Sequence, residues 1–139
     1  MATPYSARAY QATAVGTSDR NHQVVLLFDA AVRFMHRAIA GMESKNYEAQ
    51  CDGILRTQKI LSILMAALDS NINPEFSKNL FSLYNWLYNS LTEASLQENL
   101  ELLTELTEIV TNLRDAWQKA EQSVRLEEAT EMPQETRAA

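Results

Sequence analysis

An all-α fold, an antiparallel up-down four-helix bundle with an N-terminal arm, is predicted by three features of this chain. Its 139 residues are 46% hydrophobic and 22% charged with only three glycines and three prolines, a composition that suits one compact helical domain. Four segments repeat apolar residues at helical spacing, so each has one face to bury. The connections between them are only a few residues long, which forces neighbouring helices to run antiparallel.

Residues 1–17 are small and polar, punctuated by Tyr5 and Tyr10 without a sustained stripe, and read as an arm. The first helix is expected after Ser18, a good N-cap residue, with Asp19 in its first turn. Val24, Phe28, Ala31, Val32, Met35 and Ile39 form its stripe, and Gly41 lies near its end. The second starts near Ser44 or Asn46, carries Ile54, Leu61, Leu64 and Leu68 on one face with Ile60, Ile63 and Ala67 beside them, and ends in the turn chemistry of Asp69–Asn73. The third opens with Asn73 as cap and Pro74 at the first helical position, where a missing N–H costs nothing. Its stripe is Phe76, Leu80, Leu83, Tyr84, Leu87 and Leu91. Ser95 and Glu98 have the spacing of a capping box and are expected to start the fourth helix, which runs to about Ala120. After Gln122 apolar periodicity is lost, so the expected organisation is an arm over 1–17, a bundle over 18–124 and a loose acidic tail over 125–139.

Charge and chemistry exclude several classes of function. A net charge of -6 disfavours broad binding to nucleic acid or anionic membranes, and no apolar run is long enough to span a bilayer. Residues 93–139 hold eleven acids against four bases. With one cysteine, Cys51, there is no intramolecular disulfide framework, and no signal peptide pattern opens the chain, so a cytoplasmic location is expected. Neither His22 nor His36 has a glutamate three residues before it, as a di-metal bundle would need; Asp19 before His22 suits a solvated first turn. Phosphate loops, nucleophile elbows and zinc spacings are absent from the sequence. The expectation is a protein that is not an enzyme, has no cofactor or metal, and works on another protein.

The fourth helix shows where. Leu96, Leu100, Leu103, Leu106, Val110, Leu113 and Trp117 make its stripe, and Leu102 and Ile109 widen it on one flank to roughly half the circumference, whereas a core-facing stripe needs little more than about 100°. A deeper packing position would explain that arc; a second apolar client would explain it too. In the third helix Phe76, Phe81, Tyr84, Trp86 and Tyr88 fall within thirteen positions, and Phe81, Trp86 and Tyr88 lie off the stripe, as core-edge residues or as a binding surface.

Three stretches taken together resemble the FliS family of flagellar export chaperones: Val25-Leu26-Leu27-Phe28-Asp29-Ala30-Ala31, Asn79-Leu80 followed by Leu83-Tyr84, and Leu113-Arg114-Asp115-Ala116-Trp117. Tyr5 and Ala9-Tyr10 match in the arm, and the similarity runs collinearly through residues 4–121. Ala30 stands where the family often has Gly, Ser95 where it often has Asn, and Gly16–His22 lacks the Ser-Pro start common in relatives.

The resemblance implies a bundle that binds the disordered C-terminal segment of flagellin in the cytoplasm, keeps it from polymerising early, and presents it to a component of the flagellar export apparatus. It implies a client wrapped in apolar grooves between helices, with the arm lying over part of the site. By position, Tyr10 becomes the arm residue that plugs the groove; Leu80 and Tyr84 are core or groove wall; Leu102 and Ile109, beyond the core stripe, become client contacts. Asp29, Asn79 and Asp115 are motif polar residues that fix helix packing, and Trp117 is core. The alternatives are an adaptor or chaperone for a different secreted protein, and a homodimer of the free chain that covers its own stripe.

Overall fold

The computed structural model describes the backbone of residues 14–138 and the side chains of residues 19–130. Four helices follow one another: α1 over Ala14–Ser44, α2 over Tyr47–Ala66, α3 over Pro74–Leu96 and α4 over Leu100–Ala138. Each packs on its neighbours in a ring: α1 on α2, α2 on α3, α3 on α4, and α4 back on α1. This is the up-down bundle that the short connections require. The periodic stripes do meet in its centre, where Phe28, Met35, Leu87, Leu91, Leu103 and Leu106 have no exposed surface. Phe28 and Tyr84 cross the core with ring centroids 6.2 Å apart at 53°, a tilted contact that suits the quadrupoles of the two rings.

Local capping follows the side chains at two starts. Asn46 accepts a hydrogen bond from the Ala49 N–H at 3.1 Å and Asn73 one from Phe76 at 3.2 Å, with Pro74 in the first turn of α3. Three boundaries differ from those expected. First, α1 begins at Ala14, so Ser18 is inside the helix instead of capping it. A serine cap is worth about 1 kcal/mol, while the start of α1 is tied to α4 by His22 Nδ1, which stands 2.7 Å from Glu121 Oε2.

Second, Ser95 and Glu98 do not form a capping box. Ser95 sits in the last turn of α3, and Glu98 takes φ 51° in the α3–α4 turn. The Asn99 N–H bonds the Ala94 carbonyl at 2.9 Å, closing α3 in a Schellman-type turn. Asn99 then caps α4 by accepting from Leu102 N at 3.0 Å. Both expected capping groups are instead acceptors for Gln50 of α2, whose Nε2 donates to Ser95 Oγ at 3.1 Å and to Glu98 Oε2 at 2.8 Å. Leu96 consequently ends α3, 81% exposed, and takes no part in the α4 stripe.

Third, α4 continues to Ala138. After Gln122 the apolar stripe ends but the helix does not: Val124 and Glu128 are still part-buried, and the Arg, Leu, Glu and Ala residues over 125–129 keep helix-forming propensity. The expected division at residue 125 therefore falls within a helix.

The α1–α2 hairpin is fastened on its outer face by Asp52, which accepts from Arg37 Nε and Arg56 Nε, each at 2.9 Å. The hydrogen bond from Arg56 foremost, opposed by partial burial and reinforced by Arg37, holds the Asp52 carboxyl below the usual aspartate range. A folded value below the unfolded one means that this contribution to stability is present above the unfolded value. It is lost as pH falls through the folded value. NMR titration of the Asp52 carboxyl should give a midpoint below that of an unstructured aspartate, and Arg56→Gln should move it upward; an unmoved midpoint would remove Arg56 as the cause.

Candidate functional site

The four seams of the bundle are unequal, and α3–α4 is the loosest of them. Its α4 wall can be placed by geometry. Arg114 approaches Asp29 of α1 at 3.6 Å, and Glu121 meets His22 of α1, which marks the α1 flank of α4. At about 100° per residue, Leu102 and Ile109 lie some 120–140° round from Arg114. Because α4 neighbours only α1 and α3, that flank turns toward α3. Both residues are half-buried and pack against the edge of the core.

The α3 wall follows in the same way. Gln58 of α2 donates to the Tyr88 carbonyl at 2.9 Å and to Thr92 Oγ1 at 2.7 Å, which marks the α2 flank of α3. Leu83, half-buried, lies on the other flank and so faces the loose seam, with Trp86 beyond it, 48% exposed.

At the end of the bundle where α2 turns into α3 the seam runs into a groove of about 200 Å³. Val24, Leu64, Leu68, Leu80, Tyr84 and Trp117 supply its apolar lining, Ile72 and Phe76 its mouth, and Arg20, Asn21 and Asn73 part of its rim. Ile72 is 62% and Phe76 50% exposed, so apolar surface continues outward from the groove. Such a surface binds by burial of apolar area and contains no arrangement for bond chemistry.

The sequence-derived residues fall into distinct places. Leu80 and Tyr84 line the groove, Tyr84 at its floor with 1% exposure. Trp117 packs on the core and also lines the groove, so it is wall as well as core. Leu102 and Ile109 lie along the seam outside the groove. Asp29 and Asp115 both flank Arg114, at 3.6 Å and 3.2 Å, as a surface cluster joining α1 to α4. Asn79 is exposed on α3. Tyr10 lies outside the described residues.

Ile72 and Phe76 were not singled out as groove residues by sequence. Ile72 sits in a turn and Phe76 in a core-type stripe, and only the fold brings them to one mouth. The histidines and the cysteine stay apart. His22 is engaged by Glu121, Cys51 is exposed, and among the described residues no three His, Cys, Asp or Glu side chains come together as a metal centre would. No helix among the described residues is long and apolar enough to cross a membrane.

Comparison with known proteins agrees with a binding bundle. The family model for flagellar protein FliS matches residues 1–124. The flagellar secretion chaperone FliS of Bacillus subtilis (strain 168) is 30% identical over 122 residues, covering 88% of this chain and 89% of the relative. The chaperones of the same name from Escherichia coli (strain K12) and Salmonella typhimurium are 25% and 27% identical over 124 residues, covering 84% and 86% of this chain and 91% and 92% of those proteins. A match over nearly the whole chain, on a four-helix bundle with a loose apolar seam, places this chain in the FliS family of flagellar secretion chaperones.

Proposed function

We propose that the client of this chaperone is the C-terminal segment of flagellin, taken up in the cytoplasm, shielded from premature polymerisation and delivered to a component of the flagellar export apparatus. The observation that carries this reading is the loose α3–α4 seam, flanked by half-buried Leu83, Leu102 and Ile109 and opening into the apolar groove under Phe76. An unfolded segment with apolar residues at helical spacing gains contact area along such a seam, and that gain offsets the entropy lost on ordering it. Leu80 and Tyr84 serve as groove wall for the client, Leu102 and Ile109 as its contacts along the seam, and Asp29, Asn79 and Asp115 position the helices that frame it. Tyr10, on the segment preceding α1, covers the groove when no client is present.

Calorimetric titration of the full chain with a peptide of the flagellin C-terminal segment tests this. One-to-one binding at micromolar concentration with a negative heat-capacity change is the expected result, because binding buries apolar surface and orders the peptide. Absence of a heat signal at several temperatures would set flagellin aside in favour of a different secreted client.

A further inference from the structure

The outer face of the α1–α2 hairpin lies across the bundle from the α3–α4 seam and has a different chemistry. Asp52 of α2 accepts from Arg37 Nε of α1 and from Arg56 Nε, and Arg56 also stacks over the Phe34 ring at 5.5 Å. These contacts fix the register of the antiparallel pair. Arg37 stands level with Asp52 and Arg33 with Arg56; in the same register Lys59 stands beside Ala30, and Ile63 beside Leu26. The middle of the hairpin therefore presents cations on successive turns, followed by an apolar level where Leu26 is 51% and Ile63 43% exposed.

Two of the four cations are held ready for an anion. Asp52 engages only the Nε of each arginine, so the terminal amino groups of both guanidiniums have no partner among the described residues. The shared carboxylate and the Phe34 ring already order these long side chains, and less rotamer freedom is lost when a carboxylate of a partner arrives on the fork. Arg33 and Lys59 are exposed and have no ion pair among the described residues. Asp52 is the acid set against these four cations, while Lys45 and Glu48 at the α1–α2 turn offset one another, in a chain whose net charge is -6.

We propose that this face docks an acidic amphipathic helix of a partner protein other than the client. From Arg37 to Leu26 the face runs about three helical turns, or about 16 Å. Carboxylates on successive turns of the partner helix meet cations on successive turns of the hairpin, and an apolar residue at the end of that stripe covers Leu26 and Ile63. A nucleic acid would leave Leu26 and Ile63 unused, and an anionic membrane would repel the excess acid of the rest of the chain. Because the face lies across from the seam, partner and client bind at once, and the docking stands independently of the flagellin assignment.

Nitrogen-15 NMR on the full chain tests the docking, with a synthetic helical peptide of about three to four turns that carries glutamate on successive turns and leucine at one end of that stripe. Saturable shifts of the Arg37 and Arg56 Nε–H signals and of the Leu26 and Ile63 amides are expected below about 1 mM peptide, weakening at roughly 0.5 M salt. Arg33→Glu/Lys59→Glu alters exposed positions and should bind the peptide about tenfold more weakly with unchanged helical circular dichroism. Control peptides with glutamine for glutamate, or alanine for leucine, should also bind more weakly, and a saturating flagellin C-terminal peptide should leave the affinity unaltered. Absence of saturable shifts at this face, equal binding of either control peptide, or a double variant of parental affinity overturns the proposal. So does displacement by the flagellin peptide, which would assign the face to the client, or binding to phosphatidylglycerol vesicles in preference to the peptide, which would assign it to a membrane.

Discussion

Gly53→Ala should destabilise the bundle by about 1 kcal/mol, although alanine is the better helix former. In an open helix the exchange would gain about 1 kcal/mol from backbone propensity. Here a Cβ at position 53 would lie 2.4 Å from the Phe34 carbonyl oxygen and 2.7 Å from the Ala38 backbone N. These are main-chain atoms of α1, so no side chain can rotate away. The helices must separate, and overpacking of this kind costs about 1–3 kcal/mol before the propensity gain is set against it. Separation would also loosen Ala38, which has no exposed surface, and pull Arg37 of α1 off Asp52. Urea denaturation reads the effect as a lower midpoint at unchanged slope. A midpoint equal to or above that of the parent would show that α1 and α2 yield without cost.

That close approach is one reason why the α1–α2 seam is tighter than the α3–α4 seam. Gly41 contributes at the hairpin turn, where a Cβ would stand 2.4 Å from Gln50 N and 2.8 Å from the Asn46 carbonyl oxygen. The pair brings the α1 and α2 backbones into contact, whereas α3 and α4 meet through Leu83, Leu102 and Ile109 without a comparable closure.

Much of this architecture is readable from residues alone, because helical period is a local property. The positions at i, i+3, i+4 and i+7 in Val24–Met35 and Leu80–Leu91 point inward once the helix exists, and Asn73-Pro74 announces a helix start through chemistry confined to four residues. The misread boundaries are those that distant contacts decide. Ser95 and Glu98 have capping spacing, but Gln50, 45 residues before Ser95 in sequence, takes both side chains. Nothing local announces that competition. The continuation of α4 escaped for a related reason: apolar periodicity reports apolar packing, and past Gln122 the part-buried positions include Glu128, so the helix goes on without an apolar stripe.

The candidate site divides along the same line. The excess width of the α4 stripe identifies Leu102 and Ile109 as positions outside the core line, and both are half-buried at the seam. The groove is assembled from the starts of α1 and α3, the end of α2 and the α2–α3 turn, together with Trp117, so no window of sequence contains it. Trp117, read as core, packs on the core and also lines the groove.

Leu102→Ala/Ile109→Ala should weaken binding of the flagellin C-terminal segment about thirtyfold while the chain stays folded. Each truncation removes three carbons, worth about 0.8 kcal/mol apiece when fully buried. Both side chains are already half-buried in the free bundle, so the client completes only part of that burial. The two together then forfeit about 2 kcal/mol of binding, which is roughly a thirtyfold rise in Kd. Part of the lost surface also touches the core, and the denaturation midpoint should fall too; Leu55→Ala controls for a non-specific effect, since Leu55 is 64% exposed on α2 away from the seam. A seam-bound client predicts weaker binding and a less negative heat-capacity change for the double variant alone. Equal loss for Leu55→Ala, or none for the double variant, would move the client off the α3–α4 seam.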